Sequence, residues 1–167
     1  YKIPYTILRY GSLYGPRAND KNPIYRMLTQ AITKKKIQRE GDGEELREYI
    51  HVWDAARMST EILSDEFKNQ SVIIAGNQQM KVKDFFVMIK EILDNKITID
   101  YVPQKSKLHY EITPYTFAPK VAQRYVSKTY LDLGQGILHC IQDIYAQLHR
   151  NQKEHGQNHT KTKKRTR

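Results

Sequence analysis

Cysteine is nearly absent from this chain. Cys140 stands alone among 167 residues, so no intrachain disulfide can form, and a reducing cytoplasm is the expected setting. It lies in an apolar helical pattern, which makes it a buried, inert thiol and not a nucleophile. Long apolar runs are missing too, and nothing approaches the ~20 consecutive apolar residues of a membrane-spanning helix. The stretch from Tyr1 carries no signal-peptide pattern, so a soluble protein without a membrane partner is expected. No second histidine, cysteine or carboxylate stands at metal-ligand spacing from His51, and no metal site is expected. His149, His155 and His159 are spaced like chance. Tyr1 in place of methionine leads us to expect an excerpt, a processed product or a translated gene remnant.

Charge is present in excess of one sign, but unevenly. The formal net charge is +10, of which residues 150–167 carry +6 and the remaining 149 residues only +4. From Asn151 onwards there is no Ile, Leu, Val or aromatic residue. Such a stretch cannot contribute a core, and disorder is expected there. Its KTKKRTR end can adhere to nucleic acid or acidic surfaces through phosphate charge. With no interleaved aromatics and no nucleic-acid motif, a nucleic-acid partner is disfavoured. The length suits one domain with a real core. The expected division is a folded part at 1–149 and a basic disordered tail at 150–167.

Within the folded part, strand and helix patterns alternate. Residues 5–10 are rich in β-branched and aromatic side chains and form a strand candidate. Gly11, Gly15 and Pro16 end it in a loop. Pro23 suits a helix first turn, and Ile24, Met27, Leu28, Ala31 and Ile32 recur on one helical face. Lys34, Lys35 and Lys36 close that helix as a solvated, dipole-compatible end, and residues 37–39 form a short link. Residues 71–76 read as a buried strand. Val82, Phe85, Phe86, Ile89, Ile92 and Leu93 form a second helical stripe, and residues 96–102 a further strand ended by Pro103. Residues 109–120 hold two prolines and three aromatics and read as a loop, either packed by its aromatics or facing a substrate. A last amphipathic helix carries Ile137, Leu138, Ile141, Ile144, Tyr145 and Leu148.

The stretch that organises the chain is residues 41–57, GDGEELREYIHVWDAAR. Gly41, Asp42 and Gly43 are strong turn formers. Residues 48–52 alternate as a strand, and Asp54 is placed as the N-cap of a helix. His51 points away from the face of Ile50 and Val52, as a packed structural histidine would. Arg47 presents a flat, always-protonated fork suited to a diphosphate. Its alternative role is a surface ion pair with Glu44, Glu45 or Glu48.

This block resembles the signature G-D-G-x-x-x-R-[DE]-[FY]-I-H-V-x-D-x-A of the NAD-dependent epimerases and dehydratases of nucleotide sugars, the extended short-chain dehydrogenase/reductase enzymes. Upstream, ILRYGSLYGPR at residues 7–17 resembles a second signature, L-R-[YF]-x-N-x-Y-G-P-R, in the family's order and at about its separation. Residues 131–136 with the helix behind them are similar to the family's terminal L-x-x-G-[LI] element. The resemblance corresponds to the C-terminal half of the family. It implies an α/β fold: the last strand–helix units of a Rossmann-type parallel sheet with a small α/β substrate-binding lobe. It implies NAD contacts at Tyr10 and Gly11, and contacts to a nucleotide-diphosphate sugar at Ser12, Arg47, Lys120 and Arg124. Ser12 stands where the family has Asn, so one hydrogen bond is kept and the amide's reach is lost.

The family's glycine-rich NAD loop, G-x-x-G-x-x-G, is absent from these 167 residues. The one Y-x-x-x-K spacing, Tyr101 to Lys105, is broken by Pro103 and follows both signatures, so it is not read as the family's catalytic tyrosine–lysine pair. No catalytic residue is therefore expected, because a base must sit within hydrogen-bond reach of its proton. The expected function is the substrate-binding portion of such an enzyme, inactive alone. It would complete a site with an NAD-binding half or pair with a second copy. The alternatives are a non-catalytic remnant or interaction fragment, whose leading strand would expose an edge, and a protein associated with nucleic acid through its tail.

Overall fold

The computed structural model describes residues 2–77, 79–103 and 122–163, with side chains as far as Arg150. The α/β expectation is borne out. Strand β1 (Thr6–Tyr10) pairs in parallel with β5 (Gln70–Ile74), Thr6 opposite Gln70 and Tyr10 opposite Ile74. The run Val72-Ile73-Ile74 is buried throughout, as befits a parallel strand covered on both faces. Its other neighbour is the short β8 (Gln123–Arg124). A second sheet has β2 (Ser12–Tyr14) parallel and β6 (Gln79–Lys81) antiparallel to the central β4 (Leu46–His51). A third is the parallel pair β3 (Lys36–Glu40) and β7 (Thr98–Val102).

Among the described residues, four α-helices cover these sheets. Helix α1 (Pro23–Lys34) starts where the Asn22 side chain accepts the Ile24 and Tyr25 amides, at 2.9 and 3.1 Å. It ends at Lys35, which adopts the left-handed conformation. Ile24, Leu28, Ala31 and Ile32 are its buried face, the face the spacing predicts. Helix α2 spans Val52–Glu61, α3 spans Val82–Ile92, and α4 spans Leu133–Lys163.

Several local expectations are corrected. Residues 37–39 are not a link: they belong to β3, which exists because β7 lies alongside, and the fully buried Ile37 is its inward residue. The loop expected after Gly11 contains β2, held by pairing with β4. The cap of α2 is His51 and not Asp54. The imidazole Nδ1 accepts the Trp53 amide at 3.2 Å. That leaves the Asp54 carboxylate to receive the Leu131 amide and the Arg57 guanidinium, each at 2.8 Å. Gln79 and Met80 begin β6, in a segment that local pattern leaves unassigned between the strand at 71–76 and the helical stripe from Val82. Helix α4 starts at Leu133, four residues before the apolar stripe. Gly136 lies in its first turn with the Tyr14 ring against it, where a Cβ would collide. Its backbone also continues to Lys163, beyond the stripe's last apolar residue, Leu148.

Two apolar clusters result. The larger joins α1, α3 and α4 over β3, with Leu28, Ile37, Phe85, Phe86, Ile89 and Ile137 at its centre. The smaller packs α2, through Ala55, Met58 and Ile62, against Ile50, Val72 and Ile74. Strand β4 serves both clusters. Side chains alternate across a strand, so Tyr49 packs on the larger and Ile50 enters the smaller. Cys140 is buried, 5 % exposed, and burial pushes its thiol up to about 11, the inert state expected of it.

Candidate functional site

A cleft of about 1160 Å³ opens between α1 and the strands β2, β3 and β4. Gly11 and Ser12 enter it from the β1–β2 junction, and Arg47 and Tyr49 from one face of β4. Asn22, Arg26, Gln30 and Thr33 line it from α1, and Gln38 and Arg39 from β3. Its lining holds six cationic side chains (Arg17, Lys21, Arg26, Lys34, Arg39 and Arg47) against one carboxylate, Asp20. That imbalance suits an anionic ligand, and the amides and hydroxyls beside it suit a polyhydroxylated one.

The cleft floor is fixed from below. The Tyr49 ring stacks on Phe85 with centroids 4.4 Å apart and planes 21° apart. Burial raises the Tyr49 hydroxyl above the ordinary phenol range, so it stays a neutral donor and acceptor. Arg47 donates from Nη1 to the Leu46 carbonyl at 2.8 Å. Arg39 pairs with Glu45 at 2.5 Å, which holds β3 to the segment leading into β4.

Close backbone approach sets the corner where the β1–β2 junction enters. The Gly11 amide donates to the Ile74 carbonyl at 2.8 Å. A Cβ on Gly11 would lie 3.0 Å from the Glu48 carbonyl oxygen, and one on Gly76 would overlap the Tyr49 carbonyl. Three backbone segments therefore meet closely here: at Gly76 only glycine fits, and at Gly11 an added Cβ would press on the Glu48 carbonyl and Ala75.

Of the residues singled out in the sequence, Gly11, Ser12 and Arg47 are brought together in this cleft. Tyr10 is not among its lining residues. Its hydroxyl shares a 2.6 Å hydrogen bond with Ser59, and its ring packs on the smaller cluster. Arg124 lies on the far face of β4. Its Nη1 is 3.1 and 3.0 Å from the two Glu48 carboxylate oxygens, and its Nη2 donates to the Gly76 carbonyl. Lys120 and the loop at 109–120 lie outside the described residues. His51 is structural, as expected: it is 1 % exposed, edge-on to Tyr14 and Trp53, and burial lowers its pKa so that it is neutral.

Sequence reasoning misses the α1 contribution, although a signal for it exists. Arg26, Gln30 and Thr33 recur at helical spacing opposite the apolar stripe, so one polar face of α1 is the cleft wall. Gln38 and Arg39 escape notice when residues 37–39 are read as a link. Among the described residues no group of three or more His, Cys, Asp or Glu is placed to hold a metal. No described helix is long and apolar enough to cross a membrane.

Comparison with known proteins agrees with this architecture. Residues 1–76 match the NAD dependent epimerase/dehydratase family. An uncharacterized UDP-glucose epimerase of Bacillus subtilis is 26% identical over 102 residues, covering 60% of this chain and 32% of that protein. A dTDP-glucose 4,6-dehydratase of Escherichia coli K12 is 23% identical over 125 residues, covering 75% and 33%. Among solved structures, the UDP-glucuronic acid 4-epimerase of Bacillus cereus superposes with a TM-score of 0.71 at 21% identity, over 86% of this chain and 46% of that one. That crystal structure holds NAD and a fluorinated UDP-glucuronic acid. The fold is thus that of part of a Rossmann-type α/β protein. Over residues 1–76 the chain is similar to the NAD dependent epimerase/dehydratase family, and it spans about a third of the length of these curated relatives.

Proposed function

We propose that this chain supplies the nucleotide-sugar-binding part of an NAD-dependent epimerase or dehydratase. The observation that carries this is the convergence of Ser12 and Arg47, from two separated family blocks, in one cationic cleft. Arg47 takes the diphosphate through charge-assisted hydrogen bonds. Ser12 gives the sugar or diphosphate one hydroxyl contact, and the polar face of α1 closes over the rest. Lys120 stands as a further phosphate contact on the resemblance alone.

The residues present fit one border of an NAD site and not its phosphate cradle. Tyr10 and Gly11 close the C-terminal end of β1, where ligands of open α/β sheets sit. No glycine-rich loop accompanies them in these 167 residues. NAD, when bound, supplies hydride acceptance, and the part of this chain is to hold the sugar nucleotide beside it. With no catalytic tyrosine–lysine pair, the polypeptide alone does not turn over sugar nucleotides. Strand β1 favours an NAD-binding half as partner. It has a neighbour on one side only among the described residues, and Ile3, Tyr5 and Ile7 around it are exposed.

Calorimetric titration of the purified chain with UDP, dTDP and GDP sugars tests the proposal. Saturable binding that weakens in Arg47→Ala by about 1.5–3 kcal/mol, the scale of a charged hydrogen bond, is the expected result. Binding indifferent to Arg47→Ala counts against it, as does turnover by this chain against the claim of inactivity.

A further inference from the structure

Arg124 carries a role different from a direct ligand contact, and its partners lie behind the cleft. Glu48 is an ionisable residue in the middle of β4 and is only 2 % exposed. A buried carboxylate is costly unless paired and hydrogen-bonded. Here it receives Arg124 Nη1 on both oxygens and Gln79 Nε2 at 3.2 Å on one. The same guanidinium donates from Nη2 to the carbonyl of Gly76. Gly76 is the residue whose missing Cβ lets its backbone touch Tyr49.

The geometry points to a clamp. Arg124 belongs to β8, paired with β5 in the first sheet, while Glu48 belongs to β4 in the second. One guanidinium therefore ties the two sheets at the corner where Gly11, Tyr49 and Gly76 converge. Strand alternation places Arg47 and Tyr49 on the opposite face of the same strand, in the cleft. We infer that Arg124 and Glu48 are positioning residues, which set the register and tilt of β4 and so aim Arg47 and Tyr49 at a nucleoside diphosphate. This rests on the nucleotide-sugar role proposed above for the cleft, and it assigns Arg124 to the support of that site in place of contact with ligand.

Three variants of the full chain separate these roles: Arg124→Met, Arg124→Lys and the double variant Glu48→Met with Arg124→Met. The readouts are amide hydrogen exchange across residues 46–51 and calorimetric UDP affinity. Arg124→Met strands the Glu48 charge. We expect exchange in β4 to accelerate and UDP affinity to fall, each by about tenfold or more, a tenfold change being ~1.4 kcal/mol. Arg124→Lys restores part of both. The double variant removes the buried charge altogether, and such replacements are often neutral in stability, so it regains wild-type exchange and wild-type affinity.

A double variant with native exchange but UDP binding as weak as in Arg124→Met overturns the inference, because it makes Arg124 a ligand contact. Unchanged β4 exchange in Arg124→Met overturns it as well. If Arg124→Met does not fold, the double variant alone decides the matter by the same two readouts. Failure of the wild-type chain to bind UDP would refute the nucleotide role of the cleft. The exchange data would still decide whether the clamp holds β4.

Discussion

The two apolar clusters differ in how completely they are closed. The cluster around Phe85 is enclosed by α1, α3 and α4, and Leu28, Ile37, Phe85 and Ile89 are fully buried within it. The cluster around Ile74 is covered by α2 on one side, but among the described residues its sheet ends in β1, where Ile7 is 47 % exposed and Tyr5, just before the strand, 57 %. The cleft proposed for a nucleotide sugar is walled by elements of the closed cluster, whereas the border proposed for NAD lies on the open one. The two proposed binding regions thus rest on parts of the chain with unequal self-sufficiency.

Breaking the closed cluster should have the largest effect. Phe85→Ala removes the ring under Tyr49 and is expected to cost about 3–5 kcal/mol in urea unfolding, with loss of UDP binding as the cleft floor collapses. Arg47→Ala touches the same cleft from the solvent side. It should leave the unfolding midpoint nearly unchanged, within about 0.5 kcal/mol, while reducing UDP affinity by about 1.5–3 kcal/mol. If both variants lose stability equally, the separation of floor from ligand contact is wrong.

A smaller, pH-dependent effect probes the joint between the clusters, where His51 caps α2. Burial lowers its folded pKa below the ordinary value of 6.5, with Asp54 opposing and His139 assisting that shift. The unfolded chain therefore takes up the proton first as pH falls. The His51 contribution is complete above about pH 6.5 and declines below it, until the folded pKa is passed. The slope for one proton is at most ~1.4 kcal/mol per pH unit. Unfolding measured at pH 7.5 and 5.5 should show this decline, and His51→Asn, which keeps a cap acceptor, should flatten it. An equal decline in that variant assigns the effect to other groups. The smallest change is expected at the open edge. Ile7→Lys should alter stability by less than about 0.5 kcal/mol yet reduce self-association in sedimentation, because a charge blunts an exposed strand edge. Unchanged self-association would show that β1 is not the adhesive edge.

Legibility in the sequence follows the range of the interactions involved. The α1, α3 and α4 stripes are readable because a helix buries one face of its own length, and Asn22 with Pro23 marks the start of α1 locally. The strands β3 and β2 are not, since Lys36–Glu40 and Ser12–Tyr14 gain their hydrogen bonds from β7 and β4 far along the chain. His51 is recognisable as a packed residue, but its capping of α2 depends on Asp54 being drawn to Leu131, 77 residues away.

The letters around Arg47 and Ser12, by themselves, carried the family resemblance, the α/β class and the charge chemistry proposed for the ligand, because side-chain chemistry and short-range pattern are carried by the residues. Only the tertiary structure decided which of those residues share a cleft. It gathered Gly11, Ser12 and Arg47 with the polar face of α1, turned Tyr10 into the smaller cluster, and set Arg124 against Glu48. The physical reason is that each outcome turns on contacts between segments of different sheets, which meet where Gly11 and Gly76 approach Glu48 and Tyr49. Such a contact joins distant segments, and no local pattern encodes it.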